Sequence, residues 1–331
     1  MILTLVVSCI IYSIIDTLIN IPFYIGFIVS FLIANFLMTK IVTYTTKKKS
    51  NWRFLRNLIP ILLLIGILVL RTSNEALEQK KFFEREEQQI AFKDSIIKGE
   101  SFALASHTRK WVDYLGNTYE GELNVKMQDY YTSSKFHERL FIPDSETNFW
   151  GALYSKIYQE DEDKLSLIYE ELDKLRVQNQ LDKRTFAEMV VSCIQDIPYA
   201  FVFQDECLDS SIYEQSIQDI LNQCPECCIG NKKFGIQTPV AFMTNLKGDC
   251  DTRTVIIFTI LNHFGYDVAI LNSTFYRHSI LGINIPARGL HKRYNGKKYY
   301  LWETTNKYFK IGDLSSQLNN PHYWHVVLAN K

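Results

Sequence analysis

The sequence has no excess of charge of either sign, because Lys plus Arg and Asp plus Glu both number 36. Proteins that bind nucleic acid usually carry a strong positive charge, so we expect no nucleic-acid partner. The chain also has no internal repeat, no low-complexity block and no histidine-rich spacing typical of a zinc enzyme. We therefore expect neither a metal nor another cofactor.

Acidic residues are missing from one long segment, since no Asp or Glu lies between Asp16 and Glu75. The same segment holds three apolar runs, at residues 2–15, 21–42 and 58–70. The second run has about 22 residues, which is the length of a helix that crosses a bilayer. A cleaved signal peptide is the alternative interpretation of the first run, although no basic residues precede it.

Basic residues cluster in the link between the second and third apolar runs: Lys40, Lys47, Lys48, Lys49, Arg53 and Arg56. By the positive-inside tendency this link is cytoplasmic. The sequence therefore predicts a multi-pass protein of the cell membrane. Residues 1–72 would form an anchor of two or three transmembrane helices, and the remaining chain would lie on the extracytoplasmic side.

The rest of the chain divides into three predicted regions. Residues 73–100 are rich in helix formers of mixed charge and predict a helical stalk. Residues 101–147 contain alternating apolar and polar residues on both sides of a Gly-Asn turn, which predicts a small β-hairpin region. Residues 148–331, in which helical patterns precede strand patterns, form the predicted catalytic domain.

Cysteine is scarce, with seven in the chain, and four of them lie in one loop-rich segment. These four are Cys207, Cys224, Cys227 and Cys228. Four cysteines allow three disulfide connectivities. A bridge between the adjacent Cys227 and Cys228 is strained, so we expect Cys207 to pair with Cys227 or Cys228. Zinc binding through the CxxC spacing and four reduced thiols are the alternatives.

Cys250 differs from the other cysteines because it lies in a polar turn, in the sequence "KGDCDTRTVIIFTILNHFG". It begins a predicted helix that ends near His263, with Asp249 as the N-cap. The helix dipole favours a thiolate at this position, whereas the flanking carboxylates oppose it. A thiol in such a turn indicates a nucleophile.

A nucleophilic cysteine needs a base, and a base histidine is usually oriented by a third group. His278 begins the predicted strand "HSILGI", and Glu303 ends the predicted strand "KKYYLWE". If these strands pair antiparallel, Glu303 can lie beside His278. His322 and His325, near the end of the chain, are alternative bases.

The segments "GDCDTRT", "RHSILGI" and "YYLWETT" resemble the core of the transglutaminase-like superfamily, in particular its bacterial, membrane-attached cysteine-peptidase-type branch. The resemblance covers about residues 185–310. It implies an α+β fold with a papain-like or transglutaminase-like core, in which a central helix packs on an antiparallel sheet. It also implies Cys250 as nucleophile, His278 as base and Glu303 as orienting acid, where the superfamily more often has Asp.

The resemblance further implies a cysteine-dependent acyl-transfer enzyme with a protein or peptide substrate, favoured as a peptidase or amidase. A protein-crosslinking transglutaminase is the first alternative, because an amine can replace water as the acceptor. A non-catalytic envelope binding module is the second. The backbone N–H of Cys250 is one expected donor to the oxyanion, with Gln204 or Gln237 as candidates for the other.

Overall fold

The computed structural model describes residues 30–36, 39, 92–97 and 99–330. The chain divides into two compact units, residues 1–88 and 89–331. In the first unit residues 30–36 are helical. The second unit combines helices with antiparallel sheets, so the fold class is α+β, as the sequence predicts.

The helices of the second unit are α1 (Met127–Arg139), α2 (Phe149–Asp161), α3 (Ser166–Gln178), α4 (Lys183–Gln195), α5 (Gln215–Gln223), α6 (Pro239–Asn245) and α7 (Cys250–His263). Its strands are β1 (Phe92–Ile97), β2 (Glu100–Val112), β3 (Thr118–Lys126), β4 (Phe201–Val202), β5 (Cys228–Ile229), β6 (Val268–Ser273), β7 (His278–Ile283), β8 (His291–Tyr294), β9 (Lys297–Trp302) and β10 (His325–Ala329).

The predicted location as a multi-pass membrane protein is contradicted. Among the residues that the structure describes, no helix is both long enough and apolar enough to cross a bilayer. Of the three apolar runs, the structure describes residues 30–36 and 39, which are helical. The rest of the three apolar runs lies outside the described residues. The predicted extracytoplasmic placement depended on transmembrane helices and is therefore withdrawn as well.

Strands β1, β2 and β3 form an antiparallel sheet in that order. The turn between β2 and β3 is closed by the Asp113 carboxylate, which accepts hydrogen bonds from the backbone N–H groups of Leu115 and Asn117, both 2.9 Å long. Trp111 and Tyr119 are directly opposed in the register, and their ring centroids are 5.8 Å apart. These buried rings attach the hairpin to the core of the unit.

Two segments differ from their predicted structure. Residues 92–97, in the predicted helical stalk 73–100, form β1, because they pair with β2 along their whole length and this pairing overrides helix propensity. The rest of the stalk lies outside the described residues, apart from residues 99 and 100. In the predicted hairpin region 101–147, Met127–Arg139 is helix α1, because its buried residues recur at helical spacing.

Strands β10, β6, β7, β9 and β8 form the larger sheet in that order, with every neighbouring pair antiparallel. Helix α7 packs against β6 and β7 on one side and against α4 and α6 elsewhere. Its residues from Thr252 to Leu261 are all buried, which explains why its sequence is apolar on every face. The packing of α7 against the sheet therefore fixes the position of the first residues of this helix.

Both disulfides lie in the segment between α4 and α6, and they join Cys207 to Cys228 and Cys224 to Cys227. The pairing of Cys207 with Cys228 is one of the two predicted for it. Cys228 is also part of β5, which pairs in parallel with β4. The bridge therefore fastens the exposed loop to the strand pair that follows α4.

Candidate active site

Cys250 is the first residue of α7, and the turn before it is tightly constrained. The Asp249 carboxylate caps the helix by accepting a hydrogen bond of 3.1 Å from the N–H of Thr252. A side chain at Gly248 would put its Cβ 2.7 Å from the Phe242 ring and 2.8 Å from Thr252. Glycine is therefore required for this close approach, and it holds the Cys250 thiol, which is free and partly exposed, at a fixed point.

His278 and Glu303 are brought together by the pairing of β7 with β9. The antiparallel register Leu281↔Trp302 places the start of β7 beside the end of β9. The Nε2 atom of His278 lies 3.0 Å from Oε2 of Glu303 and 3.1 Å from Oε1. The predicted contact between base and acid is thus present in the structure.

Glu303 is 1% exposed, and its surroundings hold it as a carboxylate. Oε1 accepts hydrogen bonds from the N–H groups of Thr304 and Thr305, both 2.9 Å, and from the Thr305 hydroxyl at 2.7 Å. Burial alone would raise its pKa, but hydrogen bonds and the charge interaction with His278, helped by Thr305, lower the pKa below the usual value. Gln195 donates to the backbone carbonyl of Glu303 at 2.6 Å and fixes the end of the strand.

A cavity of about 340 Å³ connects these residues to solvent. Cys250 and His278 both line it, and Glu303 lies behind His278. The remaining lining residues are Trp150, Asp251, Asn272, Ser273, Thr274, Arg277 and Ser279. The structure therefore brings the predicted nucleophile and base to one cavity and attaches the predicted acid to the base.

The Cys250 sulfur is surrounded by groups that keep it protonated. Burial is the largest cause that raises the pKa of this thiol, followed by the nearby carboxylates of Asp251 and Asp249. The Asp251 Oδ1 atom lies 3.8 Å from Sγ. The nearby backbone N–H of Ser279 acts on the pKa in the opposite direction but does not prevail. The helix dipole therefore does not produce a resting thiolate, and the thiol needs a base to become a nucleophile.

A polar network lines the side of the cavity next to the thiol. The Ser279 hydroxyl lies within hydrogen-bond distance of Asp251 Oδ1 and of Asn272 Oδ1, the latter at 2.8 Å, and its single proton can be donated to one of them at a time. The Asn272 amide donates in turn to the hydroxyl of the buried Tyr154 at 2.9 Å. Burial raises the pKa of Asp251, and the Ser279 hydrogen bond partly offsets this effect. The network fixes the Asp251 carboxylate beside the sulfur.

Sequence reasoning missed Tyr199, whose hydroxyl interacts with the backbone N–H of Cys250, an interaction that lowers the pKa of the phenol. Burial raises the pKa of Tyr199 above its ordinary value, and the nearby Cys250 and Asp249 add to the shift. The phenol therefore keeps its proton at neutral pH and can donate it in a hydrogen bond. The available signal was the sequence "IPYAF", in which a tyrosine directly follows the proline that ends a helix.

Sequence reasoning also missed Arg253, which is fully buried in α7. Its guanidinium donates to the carbonyl oxygens of Ile197 at 2.7 Å and Pro198 at 2.6 Å, and its Nε donates to that of Gly248 at 2.8 Å. One side chain thus ties the segment before Tyr199 to the turn before Cys250. A charged residue in an otherwise apolar helix was the signal for this role.

The candidates for the second oxyanion donor lie elsewhere. Gln204 is exposed and does not line the cavity. Gln237 is 1% exposed, and its amide nitrogen donates to Asn245 Oδ1 at 3.3 Å and to the Lys247 carbonyl at 2.5 Å. The alternative bases His322 and His325 are exposed and do not line the cavity either.

Within the described part of the chain, no group of three or more His, Cys, Asp or Glu side chains is arranged to hold a metal ion. The CxxC cysteines considered as zinc ligands are bonded to each other. Comparisons of this chain with family models, with curated proteins and with solved structures find no match.

Proposed function

We propose that this chain is a cysteine-dependent acyl-transfer enzyme that hydrolyses amide or peptide bonds, and that its core is of the transglutaminase-like type. The observation that supports this most directly is the arrangement of three side chains. A free thiol at a helix start and a histidine line the same cavity, and the second ring nitrogen of the histidine is bound to a buried carboxylate. This is the arrangement of nucleophile, base and orienting acid that acyl transfer requires.

The core adds support for the fold assignment. Cys250 begins a buried helix that packs on an antiparallel sheet, and neighbouring strands of that sheet provide His278 and Glu303. A papain-like or transglutaminase-like core has the same order of helix with cysteine, strand with histidine and strand with acid.

The chemistry follows from the contacts. The proton of the Cys250 thiol passes to the His278 nitrogen that is not bound to Glu303, and the sulfur forms a bond to the carbonyl carbon of the substrate. The C=O electron pair moves onto oxygen to give a tetrahedral oxyanion. When that intermediate collapses, the C–N bond breaks and the imidazolium returns its proton to the departing amine. Water, deprotonated by His278, then hydrolyses the thioester and restores the thiol.

Two donors are available for the oxyanion. The hydroxyl of Tyr199 lies near enough to the backbone N–H of Cys250 to interact with it, so a substrate oxygen at this point can be reached by both donors. The Tyr199 ring also lies 5.6 Å from the Arg253 guanidinium, which ties both segments together. In this proposal the substrate oxygen replaces the phenol oxygen as the acceptor of the Cys250 N–H. The Tyr199 hydroxyl then donates a second hydrogen bond to the same substrate oxygen.

The proposal is tested by acylation with an activated ester, because this does not require the natural substrate. Wild-type protein treated with p-nitrophenyl acetate should carry the acetyl group on Cys250, located by peptide mapping. His278→Ala should slow this acylation by about 100-fold or more, since it removes the general base. Cys193 is the internal control, because burial raises its pKa to about 12 and it should stay unmodified.

Acylation at a similar rate in His278→Ala, or acylation of other residues in place of Cys250, would sink the proposal. A second measurement compares water with an added primary amine as acceptor of the acetyl group. Faster recovery of the free thiol with amine would favour crosslinking, and an unchanged rate supports hydrolysis.

A further inference from the structure

Arg277 lies at the mouth of the cavity, directly before the proposed base. It is the last residue of the turn that joins β6 to β7, and its φ of 49° is in the left-handed region. Its side chain is exposed and lines the cavity together with Cys250 and His278. A left-handed backbone conformation raises the conformational energy of any residue other than glycine. It also directs the side chain differently from that of a residue in a regular strand.

The charged residues of the cavity lining differ in whether they are paired. His278 is bound to Glu303, and Asp251 accepts a hydrogen bond from Ser279. The Arg277 guanidinium has no hydrogen bond or ion pair with any residue that the structure describes. It is therefore a cation with its full set of donors available at the entrance to the site.

We propose that Arg277 binds a carboxylate of the substrate, so that the substrate class is an acidic peptide or amide. This inference rests on the proposed function for the identity of the reacting group, but the site itself can be tested without catalysis. A guanidinium matches a carboxylate in shape and binds it through two parallel hydrogen bonds.

The position of the bound carboxylate relative to the reacting amide follows from chain geometry. Arg277 and His278 line the same cavity, so both can contact one ligand bound in it. The carboxylate therefore lies within about two residues of the amide carbonyl that faces Cys250. A cavity of about 340 Å³ is large enough for a short segment of that kind.

The carboxylate can come from an Asp or Glu side chain or from the free end of a peptide chain, and both present the same chemistry to a guanidinium. Asn272, Ser273 and Thr274 add neutral polar groups to the lining. They suit a polar substrate but do not distinguish between these two sources.

The first test uses two alkylating reagents that differ only in charge. Iodoacetate carries a carboxylate next to its reacting carbon, and iodoacetamide carries a neutral amide. The ratio of their rate constants at Cys250, measured at pH 9 by peptide mapping, reports attraction of the carboxylate. Arg277→Gln should lower this ratio about three- to tenfold, as expected for a charge-assisted contact weakened by solvent.

Two further variants make the result specific. Arg277→Lys should retain most of the ratio, and the exposed Arg293→Gln, which removes the same charge away from the cavity lining, should leave it unchanged. Raising the salt concentration should lower the wild-type ratio towards that of Arg277→Gln. An equal ratio in wild type and Arg277→Gln, or the same loss in Arg293→Gln, overturns the proposal.

The second test identifies the source of the carboxylate by protection of Cys250 from iodoacetamide. N-acetyl-Ala-Glu-amide offers a side-chain carboxylate, N-acetyl-Ala-Ala a terminal one, and N-acetyl-Ala-Ala-amide neither. The acidic peptide that protects at the lowest concentration gives the source, and Arg277→Gln should abolish its advantage. Equal protection by all three overturns the proposal. If the alkylation results are as expected but Cys250 is not acetylated by p-nitrophenyl acetate, the proposed enzymatic function is refuted and the carboxylate site at Arg277 is retained.

Discussion

The Nε2 atom of His278 is held between the two carboxylate oxygens of Glu303, at 3.1 Å from Oε1 and 3.0 Å from Oε2. One nitrogen of the ring is therefore occupied, and only Nδ1 remains to exchange a proton with Cys250. Because Glu303 is buried and its pKa is lowered, it stays charged, and in the proposed reaction it would stabilise the imidazolium.

Replacement of Glu303 by Gln should lower the rate of acylation of Cys250 by about 10- to 100-fold, less than the loss in His278→Ala. Gln keeps an acceptor at the position of Oε1, where Thr304 and Thr305 donate. It places an N–H donor opposite the histidine, which disturbs the ring and removes the negative charge. The rate of p-nitrophenol release in the first turnover measures the effect.

Circular dichroism and the midpoint of unfolding serve as the control for Glu303→Gln. Glu303→Ala removes every acceptor and leaves buried N–H groups unsatisfied, which costs about 1–3 kcal/mol of stability. A rate in Glu303→Gln equal to that of the wild type would contradict an orienting role for the acid.

The proposed triad could be inferred from the sequence because each part has a local signal. Cys250 begins a helix, His278 begins one strand and Glu303 directly follows the end of another, so one assumption about antiparallel pairing brings His278 and Glu303 together. The contact between Tyr199 and Cys250 could not be inferred, because it depends on how Arg253 ties two distant segments. Local patterns contain no information about such long-range contacts.

Tyr199→Phe should lower the rate of acylation by about 10- to 100-fold with little change in stability. The substitution removes the phenol proton but keeps the ring near Arg253 and beside Phe201, whose ring centroid is 5.2 Å from it. A hydroxyl that donates only in the tetrahedral intermediate affects kcat more than KM. Steady-state kinetics on an amide or ester substrate separate these constants.

The matched control for Tyr199→Phe is Tyr213→Phe, which removes a hydroxyl at the outer end of the same row of aromatic rings. That hydroxyl accepts from the N–H of Leu208, outside the cavity. An equal loss of kcat in both variants would mean that the row matters for rigidity, and the oxyanion role would be abandoned.

Asp251→Asn should shift the pH dependence of Cys250 alkylation to lower pH. Burial, then the Asp251 and Asp249 carboxylates, raise the pKa of the thiol, so loss of one negative charge lowers that pKa. At a pH below the pKa, a thiol with a lower pKa has a larger thiolate fraction. Iodoacetamide should therefore react about three- to tenfold faster with Asp251→Asn than with the wild type at pH 8. Asn keeps an oxygen that can accept from Ser279.

The exposed Asp313→Asn is the control for Asp251→Asn, and its alkylation profile should match the wild type. Rates measured from pH 6 to pH 9 should show the faster reaction of Asp251→Asn throughout this range. Identical profiles for wild type and Asp251→Asn would show that the carboxylate does not act on the thiol.

Asp161 should make the stability of the fold depend on pH between about 4 and 6. It is fully buried and accepts hydrogen bonds of 2.9 Å from Ser133 and from the N–H of Val240. Its Oδ1 atom accepts no hydrogen bond and lies 3.9 Å from the Lys164 ammonium. Burial raises its pKa to about 6, although these hydrogen bonds offset part of the effect. The folded state then binds more protons than the unfolded state in this range, so stability falls as pH rises.

The magnitude follows from the shift of about two units, which corresponds to about 3 kcal/mol. Asp161→Asn should remove this loss of stability at higher pH. The free energy of unfolding of the variant, relative to that of the wild type, should therefore increase by about 3 kcal/mol from pH 4 to pH 7. Urea unfolding at both pH values measures the difference, with the exposed Asp144→Asn as control. A constant difference between the two proteins across this range would refute the role of Asp161.

The two disulfides should contribute unequally to stability. The Cys207–Cys228 bridge closes a separation of 21 residues, whereas Cys224–Cys227 closes a separation of 3. In the chain-entropy model these loops are worth about 3 and about 2 kcal/mol, because a longer loop loses more freedom when it is closed. The Cys207→Ser/Cys228→Ser double variant should therefore unfold at a lower urea concentration than Cys224→Ser/Cys227→Ser.

The longer bridge should also affect the proposed active site, because Cys228 pairs with Phe201 in the strand that follows Tyr199. Loss of this bridge loosens β4, so acylation of Cys250 should slow several-fold under conditions where both variants remain folded. The Cys224→Ser/Cys227→Ser variant is the matched control, since it removes two cysteines from the same loop and keeps Cys228 bonded. If both variants acylate equally fast, the bridge acts on stability alone, and the link from β5 through β4 to Tyr199 does not exist.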